Sequence, residues 1–66
     1  MSHFAYEQSQ QAARDYDFDT LVMAAIRRAD STNAEILWRV FPEIADELQQ
    51  RYDAPGGFLP GEAGVR

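Results

Sequence analysis

"RADSTNAEILWRVFPEIADELQQRY", Arg28 to Tyr52, decides the architecture of this chain. Two interruptions divide an otherwise helical pattern. At the first, "DST" breaks the preceding helix, and Thr32-Asn33-Ala34-Glu35 reads as a capping box with Thr at the N-cap and Glu at N3. A helix over 32–41 follows. Its core face is Leu37, Val40 and Phe41, with Ile36 and Trp38 on the flanks. At the second, Pro42 lacks an N–H and clashes with the preceding turn, yet suits the first position of a new helix. The spacing predicts a sharp corner at Phe41-Pro42 and a helix over 42–52 carrying Ile44, Leu48 and Tyr52; one kinked helix is the alternative.

Working outward, Phe18, Leu21, Val22, Ala25, Ile26 and Ala29 repeat with the helical period, which predicts a helix over 20–29. Asp19 is its expected N-cap, with Phe18 and Met23 placed as a hydrophobic staple. Arg27 and Arg28 complement the dipole in its last turn. Upstream, good helix formers with a thin apolar stripe predict a helix over 5–14. Downstream, "APGGFLPG" holds two Pro-Gly pairs, Pro55-Gly56 and Pro60-Gly61, each suited to the centre of a type II turn. Phe58 and Leu59 lie between these reversals. They are expected to fold back as a strap over the helices, the alternative being an exposed docking peptide. Residues 1–4 and 62–66 are expected to be mobile. The fold class is all-α: three or four short helices and a C-terminal strap, in one small domain.

A chain of 66 residues buries little surface, so a lone core is marginal. It has no Cys, which removes disulfides and the usual zinc sites as remedies. Association, with a second copy or with a partner, is the remaining one. Hydrophobic residues make up 45% of the chain, too many for a disordered tail. A net charge of −5 argues against a phosphate-binding surface. All six basic residues are Arg, which reads as the codon bias of a GC-rich genome or as selection for bidentate carboxylate pairing. No apolar run is long enough to span a membrane, and the N-terminal residues lack a signal pattern, so the expected location is the cytoplasm.

"DYDFD" places Asp15, Asp17 and Asp19 at alternate positions, as in the first half of an EF-hand loop. Thr20 then stands where that loop needs Gly, and Ile26 where it needs Glu, so calcium is not expected. Carboxylates gather before a helix N-terminus because the dipole favours them there. The sharper reading is an acidic patch for a basic partner surface, to which Tyr16 and Phe18 add contact area. Trp38 sits at the margin of its helix's core stripe. Trp is rarely fully buried and is enriched at binding hot spots. Asp15, Tyr16, Asp17, Phe18, Asp19 and Trp38 are therefore the candidate protein-binding residues, and Pro42, Pro55, Gly56, Phe58 and Leu59 the structural ones. His3 is the one histidine and stands beside a chain end, so no Ser-His-Asp arrangement is promised. No catalytic residue, metal or cofactor is expected, and a chain this short has little room for a pocket as well as a core.

The stretch from Ala25 to Glu62 resembles small accessory proteins encoded by tailed bacteriophages and prophages. The shared features are the Ala-Asp-Ser break, the Phe-Pro-Glu corner, the Arg-Tyr helix end and the Pro-Gly-Gly…Leu-Pro tail. The resemblance implies a phage setting and assigns no catalytic residues. It implies a protein that binds a host protein, such as a defence complex or the transcription machinery, and inhibits or modulates it in the host cytoplasm. A helix-turn-helix regulator is the alternative, since two short helices joined by "ADSTN" fit that outline. Its helices, however, carry Arg39 and Arg51 against Glu43, Asp46 and Glu47, which is poor chemistry for phosphates.

Overall fold

The computed structural model describes residues 2–62, and the all-α class read from the sequence holds: four helices and no strand among the described residues. They are α1 (His3–Asp15), α2 (Phe18–Arg28), α3 (Ser31–Val40) and α4 (Pro42–Asp53), followed by a single 3-10 turn, Pro55–Gly57. The expected mobility of Met1 and of residues 63–66 falls outside the described residues.

The helix starts lie earlier than expected, each for a capping reason. Ser2 accepts a hydrogen bond from the Ala5 amide, so α1 begins at His3. Asp17, not Asp19, caps α2 by accepting from the Thr20 amide at 2.9 Å. Phe18 is thereby the first helical residue and forms no staple. Its ring instead meets Phe41 edge-on, with centroids 5.5 Å apart. Asp30, not Thr32, caps α3 by accepting from the Asn33 amide at 2.8 Å, so the helix starts one residue early, at Ser31, ends one early, at Val40, and the capping box is absent. Asp is among the strongest N-caps and Thr a weaker one, and a negative charge suits the helix N-terminus.

The Phe41-Pro42 corner is as expected. Phe41 leaves helical geometry at φ −124°, ψ 63°, because the residue before proline is pushed out of the α region. Pro42 then occupies the first turn of α4, where its missing N–H costs nothing.

Helices α2, α3 and α4 pack against one another, and α1 lies against α2 alone. What they enclose is small. Among the described residues only Val22 and Ala45 are buried, and Ala45 is fully covered. Around them Leu21, Met23, Ile26, Leu37, Phe41, Ile44 and Leu48 are half-buried. Three expected core positions are not in the core. Val40 is 57% exposed, Tyr52 is 75% exposed, and Phe18 is exposed beside Phe41. The reason is shared: a three-helix packing has nothing on its outer sides, and α1 packs on α2 alone and closes none of them.

The strap exists, but charge holds it more than apolar burial does. Both turns form as expected. Gly57 N–H donates to Ala54 O with Gly56 at φ +64°, and Glu62 N–H donates to Leu59 O with Gly61 at φ +90°. A Cβ on Gly56 would meet the Phe58 ring at 3.2 Å, so the turn needs glycine twice over. Leu59 is half-buried while Phe58 is 54% exposed, so only one of the two residues covers the helices. Arg51 closes the strap. Its Nη1 and Nη2 each donate to a Glu62 oxygen at 2.8 Å, its Nε to Glu47 at 2.9 Å, and Nη1 also to Gly57 O at 3.0 Å. Glu62 Oε1 in turn accepts from the Leu59 amide.

Candidate protein-binding surface

Trp38 leaves α3 on the side facing α4. There it lines an open groove of about 320 Å3 with Ile26, Arg27, Leu48, Gln49 and Tyr52. Helix α2 supplies Ile26 and Arg27, and α4 supplies the other three. Trp38 is 37% exposed, so it is neither a core residue nor fully free. Tyr52, in the last turn of α4, lines the groove while remaining mostly exposed. The floor is apolar, and Arg27 and Gln49 are its polar groups. Arg27 makes no ion pair among the described residues.

The acidic segment is elsewhere, at the α1–α2 junction, and its residues have local work. Asp17 caps α2. Hydrogen bonds from the Thr20 side chain and backbone amide hold its carboxyl below the usual carboxylate range. Asp15 accepts from the Gln11 amide group one turn back. Asp19 stands in the first turn of α2, where the dipole favours it. All three are exposed, as are Tyr16 and Phe18. Capping therefore engages one of the three carboxylates fully and leaves Asp15 and Asp19 on the surface beside Tyr16.

Sequence reasoning missed Ile26, Arg27, Leu48, Gln49 and Tyr52 as companions of Trp38. Leu48 and Tyr52 carried the helical period that normally marks a core, and nothing local said that the groove above them would stay open. It also missed the Arg51 clamp, although Glu47 and Arg51 stand at the i, i+4 spacing that favours an ion pair. The Arg51 hydrogen bonds, helped by the Leu59 amide, lower the Glu62 pKa to about 2, and Glu62 and Glu47 together raise that of Arg51 further above its ordinary value. Arg51 is thus engaged on every side, which removes a cation from the helix-turn-helix reading. Among the described residues no three His, Asp or Glu side chains are grouped to hold a metal ion. No helix is long and apolar enough to cross a membrane.

Nothing matches this chain among protein-family models, curated proteins or solved structures.

Proposed function

We propose that the chain works as a stoichiometric protein-binding module that seats part of another protein against the Trp38 groove. The observation that carries this is the groove itself, in which a part-exposed Trp and an exposed Tyr stand over an apolar floor, with an Arg at the rim that makes no ion pair among the described residues. Aromatic and Arg side chains in such settings supply most of the binding energy at protein interfaces. In the phage setting that the resemblance implies, the partner is a host protein, and binding inhibits or modulates it. Asp15 and Asp19, exposed beside Tyr16, would speed the encounter with a basic surface.

A pull-down of the tagged protein from bacterial lysate, repeated with Trp38→Ala, is the test. The expected result is one protein retained in stoichiometric amount by the wild type and lost from the variant, with helix content unchanged by circular dichroism. Binding kinetics on the captured protein then separate the two surfaces. Trp38→Ala raises the dissociation rate, while Asp15→Asn with Asp19→Asn lowers the association rate at low salt, Asp17 being spared because it caps α2. A Trp38→Ala variant that binds normally but melts early would return Trp38 to the core. A shift of genomic DNA fragments at low salt would favour the regulator reading.

A further inference from the structure

On the opposite side of α3 from Trp38 runs a second apolar surface. Ile36 and Val40 are each two residues from Trp38, which puts them about 160° away around the helix. They are neighbours at i, i+4. Ile36 lines a groove of about 330 Å3 with Ala25, Ala29 and Leu37, and Val40 lines a hollow of similar size with Phe41, Pro42 and Ile44. Together these line one side of α3, apolar between its ends apart from Asn33, continued onto α2 at one end and α4 at the other. Its charges stand at the two ends: Arg28 beside the start of α3 and Glu43 beyond its finish. Neither makes an ion pair among the described residues.

We propose that a second copy of this chain covers this face, with α3 antiparallel to α3 of the second copy across a two-fold axis. One observation selects that occupant, and a second allows it. The first is charge complementarity. A two-fold axis through the middle of α3 brings the Arg28 end of one copy against the Glu43 end of the other, twice, and lays Ile36 on Val40 of the second copy. An isologous interface requires such a self-complementary pattern.

The second observation is area. The chain exposes 5476 Å2, whereas a folded monomer of its mass, 7.5 kDa, exposes about 4,200 Å2. That surplus of roughly 1,200 Å2 is spread over the whole elongated chain, α1 included, and leaves room for the ~800 Å2 per partner that a standard interface covers. The Trp38 groove stays open in this dimer, so it is independent of the protein-binding role.

Sedimentation equilibrium over a range of micromolar concentrations tests the proposal. The wild type is expected to dimerise, and Val40→Glu to be monomeric, because it puts two unpaired carboxylates, one from each copy, into the apolar seam. Arg28→Glu and Glu43→Arg should each weaken the dimer roughly tenfold by setting like charges together at both ends. The double variant, with each pair reversed, should recover wild-type affinity. That recovery also decides the matter if Val40→Glu fails to fold. A wild type that stays monomeric throughout overturns the proposal. So does a dimer that survives Val40→Glu, a double variant no tighter than the singles, or a dimer lost on Trp38→Ala instead.

Discussion

Ala45 is fully covered on α4, a helix whose helical neighbours are α2 and α3. A small side chain there lets the three backbones approach closely, which is why the best-packed point of the molecule holds so little volume. Enlarging it has no room to succeed: Ala45→Leu is expected to cost about 1–3 kcal/mol by overpacking, read from urea unfolding. The caps give a second expectation at this scale. Asp30→Ala should cost about 1 kcal/mol, since it strips the N-cap of α3, whereas Thr32→Ala should be close to neutral. The reverse order would restore the Thr32 capping box. This also marks what was legible in single residues. Both caps were recognisable as Asp or Thr before a helix. Choosing among Asp30, Ser31 and Thr32, or between Asp17 and Asp19, requires knowing where packing lets the first turn start, and that is not a local property. Pro42 needed no such knowledge, because the missing N–H and the fixed φ act on its own backbone and on Phe41.

Helix α1 and the strap are the elements whose attachment differs most from the rest. No residue of α1 is buried and it touches α2 alone. An isolated helix of its 13 residues is marginal in water. Its amides should therefore exchange with solvent much faster than those of α4, and exchange as slow as that of α4 would show that α1 has a cover of its own. The strap was legible as two turns, since Pro-Gly pairs dictate them, but its fastening was not. Glu62 lies eleven residues from Arg51, and only the completed turns bring them together.

Half-buried Leu59 leaves truncation after Ala54 to cost less than about 1.5 kcal/mol in apolar burial, below the 1.5–3 of one fully buried side chain. The clamp responds to pH instead. Its folded Glu62 pKa, about 2, lies below the unfolded value of 4.5, so its contribution is complete above pH 4.5 and is lost as pH falls toward 2. Protection of the Leu59 amide should fade across that window in the wild type. In Glu62→Gln it should be low at every pH. Because the Glu62 side chain is 41% exposed, added salt should weaken the clamp too. A Leu59 amide equally protected in both proteins would show that apolar contact holds the strap after all.

The whole molecule measures 45 × 27 × 16 Å with a radius of gyration of 14.2 Å, against about 11 Å for a compact chain of its length. The apolar pattern of α2, α3 and α4 was legible because the helical period survives in the sequence. That it would not close into a core was legible only as arithmetic on chain length, since Val40 and Tyr52 obey the same period as Leu37 and Leu48. With Val22 and Ala45 as the buried residues, the chain lacks the apolar burial that offsets its conformational entropy. In the proposed dimer, association supplies what the core lacks and makes stability depend on concentration. Folding coupled to dimerisation gains or loses about 1.4 kcal/mol per mole of dimer for each tenfold change in concentration. For a chain of this size, that moves the thermal midpoint by several degrees. Melts by circular dichroism over a hundredfold dilution series should show the midpoint falling steadily, and Val40→Glu should melt low with no slope at all. A wild-type midpoint that is high and flat would mean that the half-buried shell of Leu21, Met23, Ile26, Leu37, Phe41, Ile44 and Leu48 is enough by itself, and the exposed face of α3 would then be left to a different protein.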